Sequence, residues 1–201
     1  RLVRRMLDLS RLNALTENIT AQEQFDLTET VSQVLVSLEG KITGRDLDVD
    51  VKMPDEPLKV WGDPDSVTQV CYNLLDNAAK FAALKDQNSD FMGWISIEGT
   101  SLDFPVMYAP NNKDYYLKHD FKHQYSDYGV PYLDEKTTIG ANAQSNNLIV
   151  YGHNMKTGTI FGCLTEYKKA AYYQEHPYIE FDTLYGDAKY EVFAAFAIDV
   201  V

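Results

Sequence analysis

Between Asn73 and Ile97 the chain changes its period. Through DPDSVTQVCYNLLDNAAKFA (63–82) the apolar residues recur at helical steps. In NSDFMGWISIEGTSLDFPVMY (88–108) they alternate with polar ones. Periods of 3.6 and 2 belong to different elements. A helical first piece, residues 1–82, is therefore expected to join a strand-rich second piece, residues 83–201, with the junction near Phe81–Leu84. Composition shifts over the same ground. The arginines are Arg1, Arg4, Arg5, Arg11 and Arg45, and of 14 tyrosines only Tyr72 precedes residue 100. The expected fold class is α+β.

The totals narrow the function. A net charge of −12 over 201 residues argues against a nucleic-acid or anionic-membrane surface. No run approaches the roughly 18 apolar residues of a membrane span. The chain opens on Arg1 without a signal peptide, and the expectation is a fragment. Cys71 and Cys163 do not make a disulfide framework.

In the first piece Leu2, Met6, Leu9, Leu12, Leu15 and Ile19 draw one apolar stripe. A stripe needs a partner, so residues 1–23 are expected to form a bundle or dimer. Asp26 with Glu29 predicts a capping box, opening a helix that buries Val31, Leu35, Leu38 and Ile42. DLDVDVKM, about 46–53, alternates as a half-buried strand, and LKVWGD offers another. Asp63 and Pro64 start a further helix. On it Asn73, Asn77 and Lys80 share a face, a set suited to a metal-bound phosphate chain.

With GDPDSVTQV upstream, this face resembles the N-box of sensor histidine kinases. RRMLDLSRLNA resembles their dimerisation helix and FDLTETV the start of their ATP-binding domain. The resemblance implies a cytoplasmic fragment of a two-component kinase in which Asn77 binds Mg²⁺ while Asn73 and Lys80 lie near the ATP phosphates. The Mg-ATP site is incomplete, because no Asp-x-Gly-x-Gly segment follows, and the phosphoacceptor His is missing, since no His precedes His119. Kinase activity is not expected.

In the second piece strands are expected at about 93–98 and 103–108, in GVPYLD and in NLIVYG, the last buried on both faces. TIGANAQSNN reads as a loop and TIFGCLTEYKKAAYYQEH as a helix. YIEFDTLYGDAKYEVFAAFAIDVV reads as two strands turning at Gly186-Asp187. Many short strands with one helix suggest a decorated barrel. His153, between a core strand and a loop, suits a general acid or base. His119 and His123 have helical metal spacing but no third ligand. His176 sits at a helix end.

The segments DFMGWISIEGTSLDFPV, DYYLKHDF, NNLIVYGHNMKTGTIFGCLTEY and YIEFDTLYGDAKYEVF stand in the order found in class B sortases, which they resemble jointly. That resemblance implies an extracytoplasmic, incomplete sortase-type β-barrel and a cysteine transpeptidase that anchors proteins to the Gram-positive cell wall. It needs no cofactor. Its partners would be a sorting-signal peptide and a cell-wall amine. His153 matches the catalytic His, Leu117 lines the substrate groove, and Tyr151 lies beside the His. The family's Thr-Leu-x-Thr-Cys strand and its Arg have no counterpart here, and Cys163 sits at a non-catalytic position. The expectation is an inactive transpeptidase, and a chimera of two truncated domains with open edges and marginal stability.

Overall fold

The computed structural model describes residues 22–45 and 47–198. Contacts divide the chain into two compact units, one ending at Lys80 and the other beginning at Phe81. The apolar stripe of residues 1–19, and with it most of the expected dimer surface, lies outside the described residues.

The first unit holds β1 (Glu23–Asp26), α1 (Leu27–Thr43), β2 (Lys59–Gly62) and most of α2 (Pro64–Gln87). β1 pairs antiparallel with β2. Asp26 caps α1 by accepting the Thr28 N–H at 3.0 Å. Glu29 does not close the expected capping box. Its carboxylate accepts from Gln33 Nε2, one turn on, at 2.8 Å. The fully buried line on α1 is Thr30, Val34 and Leu38, with Val31, Leu35 and Ile42 half-buried beside it. The strand expected at 46–53 is not formed over residues 47–53, where Val49 and Val51 stay exposed. Alternation makes a strand only where a neighbour takes up the backbone hydrogen bonds, and β2 bonds to β1 instead. At α2 the expected cap holds, with Ser66 N–H donating to Asp63.

Among the described residues the second unit holds eight strands: β3 (Phe91–Ser96), β4 (Asp103–Met107), β5 (Tyr132–Leu133), β6 (Ile139–Gly140), β7 (Ala143–Gln144), β8 (Val150–Tyr151), β9 (Tyr178–Thr183) and β10 (Gly186–Glu191). Six of them make one sheet, in the order β10-β9-β3-β4-β5-β8. All neighbours in it run antiparallel except β4 and β5. Met92, Ile95, Ile97, Leu102, Val106, Leu133 and Phe181 form one core cluster. Phe91, Met107, Tyr116, Val130 and Tyr132 form a second, with Phe81 and Leu84 packed against it. On β4 these follow the alternation of the sequence, since side chains on one face of a strand recur every second residue, while on β3 a register shift between Phe91 and Gly93 brings Met92 to the face of Ile95 and Ile97.

Four expectations change in this unit. The apolar run NLIVYG is not a strand buried on both faces. Only Val150 and Tyr151 pair, at the sheet edge, with Ile149 and Tyr151 about 40% exposed. An apolar run does not say whether a strand has one neighbour or two. The segment read as a loop contains a small hairpin, β6 with β7. The single helix is a 3₁₀ segment, Phe161–Lys168, then α3 (Ala170–Glu175), broken by extended Lys169. The last turn lies at Leu184–Tyr185, and Gly186 and Asp187 already belong to β10. Beyond β10 residues 192–198 form no strand, and Phe193 is 99% exposed.

Candidate functional site

His153 follows edge strand β8, and its side chain is tied across the unit. Its Nε2 lies 2.9 Å from the Leu117 carbonyl oxygen. A carbonyl only accepts, so Nε2 carries the proton. Nδ1 has no hydrogen-bond partner among the described residues. The two residues drawn from separate motifs, His153 and Leu117, thus meet in space. The His153 backbone is held as well. Its carbonyl accepts the Phe161 N–H at 3.1 Å, and Asn154 forms an isolated bridge with Ile160.

Leu117 ends a short 3₁₀ turn, Tyr115–Leu117, whose Tyr116 is 1% exposed. The Tyr116 hydroxyl donates to Asp90 at 2.8 Å and accepts from Asn88 Nδ2 at 3.1 Å. Burial, with Asp90 alongside, raises the Tyr116 ionisation well above the ordinary tyrosine range, so the ring remains a neutral donor. Asn88, itself buried, also donates to the Phe121 carbonyl and accepts the Asp90 N–H. Nothing in the sequence pattern singles out Asn88 or Tyr116. Their importance comes from partners 26 to 33 residues away.

Tyr151 stacks obliquely on Tyr132, ring centres 5.5 Å apart, and donates to Asp134 at 2.9 Å. The hydrogen bond to that carboxylate raises the ionisation of the Tyr151 hydroxyl. Behind the His153 loop a cleft of about 480 Å³ opens between the Gly99–Ser101 turn and Cys163, Tyr172 and His176. Cys163 is 8% exposed and its thiol faces the Ile160 carbonyl at 3.7 Å. Burial pushes the Tyr172 hydroxyl up to about 12. His176 does not cap a helix carbonyl through its ring. Its Nδ1 bonds the Glu98 carbonyl at 2.8 Å. His119 stacks on Tyr115 with ring centres 4.0 Å apart, while His123 is tilted against Tyr115 and Tyr116. No group of three His, Cys, Asp or Glu suited to a metal occurs among the described residues.

On α2 the face of Asn73, Asn77 and Lys80 is exposed. Asn73 accepts from Gln69 at 2.9 Å, and Lys80 pairs with Asp76. Asp76 also binds Lys41 at 2.6 Å. Burial opposes the Asp76 charge, but the hydrogen bonds from Lys41 and Lys80 outweigh it and hold the carboxyl below its ordinary value.

No family model matches the chain. It is 36% identical over 117 residues to sortase B of Staphylococcus aureus, and 32% identical over 113 residues to sortase B of Listeria monocytogenes. Those alignments cover 58% and 56% of this chain, and 47% and 45% of the relatives, so the chain spans about half the length of the proteins it matches. Solved structures agree. The S. aureus sortase B–substrate complex superposes with a TM-score of 0.56 at 31% identity, covering 63% of this chain and 58% of that one. A sortase B complexed with triglycine gives 0.56 at 33% identity, with the same coverages. Sortase B of B. anthracis gives 0.54 at 30%, covering 60% and 58%. The curled sheet with its few helices is thus a sortase-like half-barrel of mixed α+β class. Over about 58% of its length this chain is homologous to sortase B, at 36% identity.

Proposed function

We propose that the unit beginning at Phe81 is the substrate-lining and proton-transfer half of a sortase-type cell-wall transpeptidase, acting on the outer side of the membrane. The observation that carries this is His153: its Nε2–H is spent on the Leu117 carbonyl, which leaves Nδ1 to exchange a proton. Transpeptidation through a thioester needs a thiolate and a proton donor for the departing amine. In this reading His153 Nδ1 takes the proton of the nucleophile's thiol and passes it to the departing amine. Leu117 and Tyr151 flank the groove for an extended sorting-signal peptide, and a cell-wall amine is the acceptor. Cys163 is not the nucleophile, because its thiol is buried and turned to the Ile160 carbonyl. The reaction uses no metal or cofactor. Among the described residues no helix is long and apolar enough to cross a membrane.

The test is a titration of the isotope-labelled chain, using the substrate of the S. aureus complex and, separately, triglycine. Saturable shifts at Leu117, Tyr151 and His153, without thioester formation or peptide cleavage, are expected. Shifts confined to other residues would overturn the groove assignment, and turnover would overturn the statement about Cys163.

A further inference from the structure

Two glycines and two apolar residues surround His153 in a way that peptide chemistry alone does not require. Gly129 has φ +55, and a Cβ there would lie 2.2 Å from the Tyr116 carbonyl oxygen and 2.6 Å from that of Leu117. Real Cβ atoms do not approach so closely, so the backbone of Gly129 rests directly on the carbonyl that accepts the His153 proton. The Val130 N–H bonds the neighbouring Tyr116 carbonyl at 3.0 Å. On the other side, a Cβ at Gly152 would meet the Phe161 ring at 2.8 Å and Ile160 at 3.2 Å. Ile160 is 4% exposed and holds φ +52, ψ −121, a conformation that β-branched residues rarely adopt. Such a conformation persists only where its surroundings over-determine it. Here the Phe161 N–H to His153 carbonyl bond and the Asn154–Ile160 bridge do so.

We infer that His153 is set by a two-sided clamp, in which Gly129 is a positioning residue for the Leu117 carbonyl that holds its ring and Phe161 fixes the backbone that carries it. The inference rests on the reading of His153 as the proton-transfer residue. Gly129 touches no reacting atom and acts through Leu117. A side chain at residue 129 displaces the acceptor, frees Nε2, and lets the imidazole sample both tautomers and other rotamers. The clamp reaches 24 residues back in sequence, from His153 to Gly129, and is closed by a glycine because only a residue without Cβ fits there.

The experiment is an imidazole ¹⁵N spectrum of the full chain, taken where His153 is neutral, for the unmodified protein and for Gly129→Ala and Gly158→Ala. Gly158 is the control. It has φ +79 with open space around it, so Gly158→Ala suffers the positive-φ strain without touching Leu117, although it lies in the loop that follows His153. The unmodified chain is expected to show distinct protonated Nε2 and unprotonated Nδ1 signals, with slow Nε2–H exchange. Gly129→Ala should collapse the two toward an averaged position and lose the exchange protection. Gly158→Ala should keep both. Equal effects of the two variants, or an unchanged His153 pattern in folded Gly129→Ala, would overturn the proposal. If Gly129→Ala does not fold, the unmodified chain decides by itself: fast Nε2–H exchange overturns the clamp. None of these readouts depends on peptide binding, so the clamp and the transpeptidase reading fail separately.

Discussion

The His153 loop and the Asn73–Lys80 face of α2 were both nominated by short motifs, yet they are built differently. His153 is bound at its ring by Leu117 and at its carbonyl by Phe161, from segments 36 and 8 residues away. On α2, Asn73 finds its partner one turn back and Lys80 finds Asp76, four residues earlier, while all three motif residues stay exposed. Partners that lie within one turn of a helix leave an exposed side chain free to exchange with water. Non-local partners fix a side chain in one geometry. Chemistry needs the second kind of support, because a catalytic group must be held where the reacting atoms will be.

The largest effect that sharpens this contrast is expected from Phe161→Ala. Removing the ring that lies on Gly152 leaves a cavity beside the core cluster. It should destabilise the second unit by about 3 kcal/mol, read as a lower denaturation midpoint. Phe161→Leu should recover part of the loss and the His153 spectrum with it. A loss below about 0.5 kcal/mol would mean the loop is not held from behind.

Tyr116→Phe comes next. It removes the hydroxyl that joins Asn88 and Asp90 and leaves the buried Asn88 amide short of an acceptor. A loss of about 1–2 kcal/mol is expected. Urea titration of the purified chain measures it, and an unchanged midpoint would show that the Leu117 turn is anchored elsewhere.

Acid should also loosen the helix face. The folded Asp76 carboxyl lies below its unfolded value, so its contribution is present above the ordinary aspartate range of about 4 and is lost as pH falls through the folded value. The Lys41 and Lys80 pairs then open. Helix amide exchange near Asp76 should quicken in that window, and Asp76→Asn should remove the pH dependence. Exchange that is flat with pH would refute the assignment.

The smallest effect is expected at Asn77, which is exposed and whose side chain has no hydrogen-bond partner among the described residues. Asn77→Ala should shift stability by no more than about 0.5 kcal/mol. A larger change on thermal melting would mean that this face is built after all, and would erase the contrast with His153.

Spacing along the chain was enough to read the change from helical to strand period, the cap at Asp63, and strands β3, β4, β9 and β10 to within a few residues. These depend on side-chain periodicity and on nearest neighbours, which a sequence contains directly. Its place between a strand and a loop made His153 a candidate, and the resemblance added Leu117 and Tyr151. Three further facts came from the folded chain alone: Val49 and Val51 have no strand partner, β8 lies at an edge, and the Leu117 carbonyl receives the His153 proton. Gly129 reads in sequence as an ordinary turn glycine. Its closeness to two carbonyl oxygens arises only when residues 116–117 fold back on it. Pairing and close approach are contacts between distant segments, and no local pattern in either segment encodes the distance between them.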